Sequence, residues 1–316
     1  MGTPVVSAAP SAVAAATQQH SRGLGRVLAL VRYRFFLFAG VLPYLLGAAW
    51  AFGSFGFFDL KAFLAGLAGV ACAVVGVEAF NEYFDSRMGT DRVFNPAELP
   101  PVADRVLWLG VLAFASALVI AVGLTVRAGW PVLVFALPGG AAAIFYEAPP
   151  VRWVYRGLGE AAIAVSYGPA MVLGSLYLQV RTLSAGALWA SLVPGLLIMA
   201  LAVANAIPDF HQDRLVGKRN LVVRLGRRGG VLLYLALGAT AMVVAAIGVL
   251  LREFPSGCLA TLLALPLLIL SALRARTTYE SARHFRPAIR ALLACYVAAV
   301  TLFTLGIALS SPSSVP

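Results

Sequence analysis

One stretch of the chain, Asn205–Arg219, reads NAIPDFHQDRLVGKR and follows an apolar run over residues 188–204. With its flanking residues that run is long enough to cross a bilayer. Asp209 and Asp213 are four residues apart and would share one face of a helix that continued past Pro208. Acidic pairs at the mouth of a membrane helix are costly and indicate a function. A bound cation explains them best, because carboxylates hold Mg²⁺ by oxygen and leave most of its shell to water and substrate phosphates.

A second stretch, Glu78–Arg92, reads EAFNEYFDSRMGTDR and also closes a long apolar run. In both stretches Asn-x-x-x-Asp is followed by another Asp. The residues of this shared pattern are Asn81, Asp85 and Asp91 in one stretch and Asn205, Asp209 and Asp213 in the other. Two such helix ends facing each other would form a cup of four carboxylates, suited to a diphosphate carried by two or more Mg²⁺ ions.

Basic and aromatic residues accompany the acids. Lys218 and Arg219 follow the second motif closely and would bind the same phosphates. The segment 147–160, EAPPVRWVYRGLGE, offers Arg156 for phosphate and Tyr155 to flank an aromatic or isoprenoid ligand. The alternative for this segment is a cytoplasmic turn with an aromatic anchor at the membrane interface.

Three further polar residues belong to the two motifs. Asn81 and Asn205 could cap helices, but their matching position relative to each acid favours substrate binding. Glu78 lies one turn before Asn81, at membrane depth. It could bind substrate, act as a base, or be the neutral partner of another polar group in the bundle.

The composition is that of a membrane protein. Hydrophobic residues make up 61% of the chain and charged residues only 12%, which excludes an ordinary soluble domain. The three cysteines, Cys72, Cys258 and Cys295, lie in apolar runs without paired spacing and are expected to be small core residues. The net charge of +11 reflects membrane topology, and we expect no nucleic-acid partner.

The apolar pattern predicts an all-α polytopic membrane protein. Residues 1–25 are rich in Ala and Ser and contain no acid, which favours a disordered cytoplasmic tail over an organellar transit segment. Residues 26–310 would form one domain of nine transmembrane helices. The predicted spans are about Phe35–Phe52, Ala62–Phe80, Val106–Val126, Trp130–Tyr146, Ala161–Leu178, Leu188–Ala204, Val231–Leu251, Cys258–Leu273 and Ala288–Leu309.

The charge distribution predicts the orientation of these spans. If the amino terminus is cytoplasmic, the outside connections hold only Lys61, Arg127, Arg181 and Arg252. Of the other twenty of the 24 lysines and arginines, nineteen fall in the tail or the inside loops and Arg290 lies at the inner end of the last predicted span, which is a strong positive-inside asymmetry. The carboxyl terminus is then external, and both acidic motifs are expected on inside loops, about 81–105 and 205–230.

These residues resemble the UbiA superfamily of intramembrane prenyltransferases, over about residues 26–309. The family has acidic motifs after its second and sixth helices, and both motifs are placed that way here. The resemblance implies a helical bundle around a central chamber, with the active site at the cytoplasmic face of a membrane. A bacterial inner membrane is the expected location.

Within the family, residues 81–91 (NEYFDSRMGTD) resemble the 1,4-dihydroxy-2-naphthoate prenyltransferases of menaquinone synthesis. The 4-hydroxybenzoate branch has an acid at the position of Gly89. Segments 155–160 (YRGLGE) and 217–226 (GKRNLVVRLG) also resemble the naphthoate branch. Residues 205–209 differ from it, because NAIPD replaces the usual Asn-Asn-x-Arg-Asp. That departure concerns the identity of the acceptor more than the chemistry.

The resemblance implies Mg²⁺-dependent transfer of a polyprenyl group from its diphosphate to an aromatic ring. The metal ligands would be Asp85, Asp91, Asp209 and Asp213. Lys218 and Arg156 would stabilise the charge of the leaving diphosphate, and Glu78 would affect which ring is used. Alternative acceptors are homogentisate, 4-hydroxybenzoate, a porphyrin or a glycerol phosphate lipid. A transporter is a rival from a different class, but it predicts acids at mid-membrane depth, where only Glu78 lies clearly.

Overall fold

The computed structural model describes residues 34–88 and 102–310, and all the regular secondary structure in them is helical. The predicted tail, residues 1–25, and the predicted metal ligand Asp91 lie outside the described residues. The twelve α-helices are α1 Arg34–Phe55, α2 Leu60–Met88, α3 Asp104–Ala128, α4 Pro131–Ile144, α5 Trp153–Arg156, α6 Gly159–Val165, α7 Met171–Val180, α8 Ala185–Ala206, α9 Phe210–Leu215, α10 Leu221–Leu250, α11 Leu265–Thr278 and α12 Ala282–Ala308.

Two irregular helical turns join some of these helices into longer rods. A π-helical turn, Ser166–Ala170, links α6 to α7, and a 3₁₀ helix, Ser256–Ala264, continues into α11. Within the described ranges, seven helical segments are long and apolar enough to cross a membrane. These segments are Leu60–Arg87, Asp104–Ala128, Gly159–Val180, Ala185–Ala206, Leu221–Leu250, Ser256–Thr278 and Ala282–Ala308.

Two shorter apolar helices complete the order predicted from the sequence. They are Gly40–Phe55, which is part of α1, and α4. Each of the nine predicted spans therefore falls on an apolar helical segment, but only seven segments have the length of a span. The all-helical membrane fold is confirmed, and the count of nine spans stays a prediction.

The helix ends differ from the prediction near both acidic motifs. Helix α2 continues to Met88, so Asn81 and Asp85 lie on its last turns rather than on an inside loop beginning at residue 81. Residues 77–88 contain neither Gly nor Pro, so nothing in that stretch ends the helix earlier. The second predicted loop, 205–230, is largely helical as well, because it contains α9 and the beginning of α10.

Helix α8 is the most deeply buried of the long helices. In its most apolar part 67% of the residues are buried, against 22–44% in the other spans. Its Gly195 lies directly against Gly168 of the π-helical turn, where an added Cβ on Gly168 would be 2.8 Å from the carbonyl oxygen of Ser191. This close approach fixes the π-helical turn against α8. The carboxyl end of α8 leads into the second acidic motif, so the best-packed helix supports the site.

We expect α8 to separate the two sides of the membrane. Single cysteines at Thr182 and Arg214, both exposed, flank this 22-residue helix, which is about 33 Å long at 1.5 Å per residue. A membrane-impermeant maleimide should label Thr182→Cys in intact cells and Arg214→Cys only after permeabilisation, because the positive charge predicts that residue 214 is cytoplasmic.

The unmodified chain serves as the control, since Cys258 and Cys295 are buried and Cys72 is partly buried. Labelling of both introduced cysteines from the same side would contradict the assignment of α8 as a spanning helix.

Candidate active site

Lys218 lies at the centre of a group of carboxylates. Its Nζ is 2.8 Å from Oδ1 of Asp85 and 2.8 Å from Oε1 of Glu147. Oδ1 of Asp213 is 3.9 Å away. Lys218, Glu147 and Asp213 are each no more than 6% exposed, whereas the side chain of Asp85 is 31% exposed. We call these four residues the carboxylate cluster.

Three separate parts of the chain supply the cluster. Asp85 comes from the end of α2, whose next turn is tied to α3 by an ion pair between Arg87 and Asp104. Glu147 lies in the connection after α4. That connection is closed by backbone hydrogen bonds from the N–H groups of Trp153 and Val154 to the carbonyl oxygens of Phe145 and Tyr146. It therefore turns back at once, and Glu147 faces inward.

The third part is the turn between α9 and α10. Gly217 has a φ of +82°, a left-handed conformation that favours glycine. The chain can reverse there, and the N–H of Lys218 donates to the carbonyl oxygen of Asp213 at 2.8 Å. Asp213 and Lys218 are thereby held side by side within one turn.

Asn220 and Glu160 secure the beginning of α10. The side-chain amide of Asn220 donates to Oδ2 of Asp213 at 2.6 Å, and its carbonyl oxygen caps the helix by accepting from the N–H of Val223 at 2.8 Å. Oε1 of Glu160 accepts from the N–H of Leu221 at 2.9 Å. Asn220 thus links the cap of α10 to the orientation of the Asp213 carboxylate.

The electrostatics of the cluster show a surplus of negative charge. Burial, reinforced by the Asp85 carboxylate, raises the pKa of Glu147 even though Lys218 acts against it. Burial likewise raises the pKa of Asp213 to about 6. For Lys218 burial alone would lower the pKa, but Glu147 and Asp85 outweigh it and raise the pKa above its ordinary value. Three carboxylates share one ammonium group, and an added cation would relieve the imbalance.

The second acidic motif is not one continuous helix. Helix α8 ends at Ala206 and a new helix begins at Phe210, because Pro208 has no N–H and its ring blocks a continuous helix. Asp209 precedes α9 and is exposed, while Asp213 is buried in it. The N–H of Asp213 donates to the carbonyl oxygen of Asp209 at 2.8 Å. The two acids are therefore neighbours in different environments: one faces solvent and one faces Lys218.

The remaining predicted site residues lie around the cluster at different depths. Tyr155 is near enough for the charges of Lys218, Glu147 and Asp85 to act on its hydroxyl, and burial raises its pKa. Arg156 and Arg219 are exposed at the surface. Their backbone carbonyl oxygens both accept hydrogen bonds from the guanidinium of Arg224, at 2.6 Å and 2.9 Å. These two arginines therefore flank the cluster without belonging to it.

Asn81, Asn205 and Glu78 lie on the helices that lead from the cluster into the bundle. Asn205 lies half-buried in the last turns of α8. Asn81 is one turn below Asp85 on α2, and its Oδ1 is buried without a hydrogen-bond partner. Glu78, almost one turn deeper, also has a buried, unpaired oxygen, Oε1. Polar groups thus continue from the carboxylate cluster into the bundle along one helix.

An apolar chamber of about 600 Å³ lies on the bundle side of the cluster. Its walls come from α2, α3, α4 and the rod formed by α6, the π-helical turn and α7. Asn81 and Tyr146 are at the end that adjoins the cluster, because they lie next to Asp85 and Glu147 in the chain. The charged cluster and the largely apolar cavity therefore lie next to each other.

The donor atoms suit a hard cation. Within residues 34–88 and 102–310, no three Asp, Glu, His or Cys side chains are grouped closely enough to hold a metal ion by themselves. Mg²⁺ does not need such a cage, because it is commonly bound by one or two carboxylates, several waters and substrate phosphates. Asp85, Asp209 and Asp213 offer carboxylate oxygens beside a surplus of negative charge, and this donor set fits Mg²⁺.

Residues 40–296 match the model of the UbiA prenyltransferase family. The chain belongs to this family. A relative in Mycobacterium tuberculosis, the 1,4-dihydroxy-2-naphthoate octaprenyltransferase, is 33% identical over 244 residues, which cover 73% of this chain and 78% of the relative. The chain is a prenyltransferase, and its relatives support the dihydroxynaphthoate branch.

Solved structures of UbiA homologues share the fold. The apo structure from Aeropyrum pernix has a TM-score of 0.66 at 19% identity and covers 88% of this chain and 98% of its own. A homologue from Archaeoglobus fulgidus bound to GPP and Mg²⁺ has a TM-score of 0.59 at 18% identity, over 87% and 98%. At these identities the likeness establishes the fold alone.

Three residues of the site were not among the predicted ones: Glu147, Glu160 and Asn220. Glu147 follows an apolar run directly, as the acidic motifs do, and that position was the available signal. Glu160 and Asn220 lie in the segments 155–160 and 217–226 that resemble the naphthoate branch, but their contacts could not be predicted because they depend on where the chain folds back. Lys218 was predicted to bind the diphosphate. In the structure it also forms ion pairs with Asp85 and Glu147, so it has a structural role as well.

Replacing Lys218 should destabilise the protein. Lys218→Met leaves Glu147 and Asp213 buried without their cation, and breaking a buried ion pair costs about 3–5 kcal/mol. Thermal unfolding in detergent without Mg²⁺ should show a clear loss of stability. The double variant Lys218→Met/Glu147→Gln should recover part of it, because one uncompensated charge is removed.

Arg219→Met is the matched control, since Arg219 is adjacent but exposed. If Lys218→Met and Arg219→Met changed the thermal stability equally, the ion pairs of Lys218 would not stabilise the protein more than an exposed arginine does.

Proposed function

We propose that this prenyltransferase transfers a polyprenyl group from its diphosphate to a hydroxylated aromatic ring, 1,4-dihydroxy-2-naphthoate being the acceptor that its relatives suggest. The observation that carries the proposal is the carboxylate cluster at the mouth of an apolar chamber. An amphiphilic donor needs both parts: charged groups for its diphosphate and a dry cavity for its chain.

The cluster is the place for the diphosphate. Asp85, Asp209 and Asp213 would hold Mg²⁺, together with Asp91, which lies outside the described residues. When bound, the metal supplies Lewis-acid stabilisation of the negative charge on the leaving diphosphate. A UbiA homologue from A. fulgidus was solved with GPP and Mg²⁺, which supports a prenyl diphosphate and Mg²⁺ as ligands.

Lys218 provides a fixed positive charge at the same place. Its ammonium has three donors; Asp85 and Glu147 accept hydrogen bonds at 2.8 Å. Both partners hold the ammonium in position, so it can stabilise developing negative charge without reorganising. Glu147 is in this view a positioning residue for Lys218. Arg156 and Arg219, exposed beside the cluster, would bind the diphosphate from the solvent side.

The chamber provides the apolar half of the site. Breaking the allylic C–O bond leaves a cationic carbon that water would quench, and an apolar cavity keeps water away. The aromatic ring must lie beside that carbon, which places it just inside the chamber, next to Asn81 and Tyr146. Holding the two reactants together in this way lowers the barrier through proximity.

The family membership decides against the transporter. The clustered acids also lie at one end of the bundle, whereas a transporter would place its ionisable residues near the midplane. Among the family's acceptors, the naphthoate is favoured because a relative with that name is 33% identical over most of both chains. We further propose a bacterial inner membrane as the location, with the amino terminus in the cytoplasm and the carboxyl terminus outside.

The direct test is an assay of the purified protein with several prenyl diphosphates and a panel of aromatic acceptors. We expect prenylated 1,4-dihydroxy-2-naphthoate in the presence of Mg²⁺ and none in its absence. Asp85→Asn should lower turnover by at least one to two decades, because a lost charge-assisted contact is worth about 1.5–3 kcal/mol. Product and released diphosphate are measured together by chromatography.

Asp59→Asn is the matched control. Asp59 pairs with Arg127 at 2.6 Å, at the opposite end of α2 from Asp85, and its replacement should leave turnover near that of the parent. Prenylation of another ring in preference to the naphthoate would contradict the proposed acceptor. Full activity of Asp85→Asn would contradict the proposed donor site.

A further inference from the structure

The end of the bundle opposite the carboxylate cluster has a cavity of its own, with a volume of about 340 Å³. Three membrane-length segments end around it: Leu60–Arg87 begins there, and Asp104–Ala128 and Gly159–Val180 finish there. Segments of this length reach from one headgroup layer of a bilayer to the other. The cavity therefore lies where the hydrocarbon core meets the headgroups.

Both charged and apolar side chains line this space, which we call the far cavity. Its charged residues are Asp59, Arg127 and Arg181, and its apolar residues include Phe57 and Leu178. Two guanidinium groups and one carboxylate give the lining a net charge of +1. A ligand that suits both parts carries a negative group and an apolar body.

Asp59 is already engaged by contacts within the protein. Its Oδ1 accepts from the N–H of Ala62 at 3.0 Å at the beginning of α2, and its Oδ2 pairs with the Arg127 guanidinium at 2.6 Å. The side chain of Gln179, which is buried, accepts from the N–H of Asp59 at 2.7 Å and fixes its backbone. Asp59 therefore compensates the charge of Arg127, and Arg181 carries the positive charge that remains.

Arg181 occupies a position that usually favours glycine. It follows α7 with a φ of +55°, in the left-handed conformation in which helices commonly end on Gly or Asn. One nitrogen of its guanidinium donates to the carbonyl oxygen of Arg127 at 2.9 Å, so the side chain lies across the end of α3. A guanidinium has five N–H donors, and this contact leaves others for a ligand.

Few basic residues are expected at this end of the bundle. The charge distribution assigns only Lys61, Arg127, Arg181 and Arg252 to the connections on this side, and such depletion is typical of the outer side of a membrane protein. Two of these four residues meet at the far cavity. A shared anionic ligand explains the pair, because arginines bind phosphate through several N–H donors at once.

We propose that the far cavity binds the headgroup of an anionic phospholipid in the leaflet opposite the carboxylate cluster. The phosphate accepts hydrogen bonds from Arg181 and Arg127. The acyl chains pass over Phe57, which is 49% exposed at the edge of the cavity, and continue into the hydrocarbon core. An inorganic phosphate ion would use the arginines and leave the apolar lining without a partner. This lipid site does not depend on the proposed reaction.

The test is equilibrium binding of lipids to the purified protein in a neutral detergent. An environment-sensitive dye on Thr182→Cys, which is exposed beside Arg181, reports on the far cavity rather than on the arginines at the other end of the bundle. Phosphatidylglycerol should bind more tightly than phosphatidylcholine with the same acyl chains, because only its headgroup has a net negative charge.

Two exposed residues of the site supply the variants. Arg181→Gln should weaken the binding of phosphatidylglycerol at least about tenfold, the effect of one lost charge-assisted hydrogen bond. Arg181→Lys, which keeps the charge, should recover part of that loss. Phe57→Ser should also weaken binding, because the acyl chains lose an apolar contact.

Lys61→Gln is the matched control, since it removes one positive charge at an exposed residue of the same end, outside the lining of the cavity. It should bind phosphatidylglycerol as the parent does. Unchanged binding by Arg181→Gln would overturn the site, and so would equal losses in Arg181→Gln and Lys61→Gln. Equal affinity for the two lipids would overturn the anionic headgroup. An equal dye response to inorganic phosphate would overturn the lipid as the ligand.

Discussion

The site depends on one buried ammonium group shared by carboxylates from three parts of the chain. Lys218 links the end of α2, the connection after α4 and the turn before α10 through Asp85, Glu147 and Asp213. Burying these charges is costly. The attraction between the Lys218 ammonium and the carboxylates offsets part of that cost. Three carboxylates surround a single ammonium group. These contacts hold the helix ends together, and the excess of carboxylates favours binding of a further cation.

The fold separates the two chemical requirements of a prenyl donor. The carboxylate cluster lies at helix ends and in short connections, while the adjacent chamber is lined mainly by apolar and small residues. Helix α2 runs through both regions and carries Glu78, Asn81 and Asp85 at successive depths.

The sequence predicted most of the fold because membrane spans are long and apolar. It also predicted two of the cluster's carboxylates and Lys218, since polar residues at the mouth of a membrane helix are conspicuous. It could not show that α2 continues to Met88 or that Pro208 separates Asp209 from Asp213 into different environments. The contacts of Glu147 and Asn220 depend on backbone reversals in short connections, and hydrophobic periodicity carries no information about those.

The most direct test of this account is an experimental structure with Mg²⁺ and a non-reactive prenyl thiodiphosphate. The account predicts that the diphosphate lies between Asp85 and Asp213, with Lys218 Nζ in contact with one of its oxygens and the prenyl chain inside the chamber. A diphosphate bound elsewhere, or a prenyl chain outside the chamber with Lys218 still shared only by the carboxylates, would contradict it.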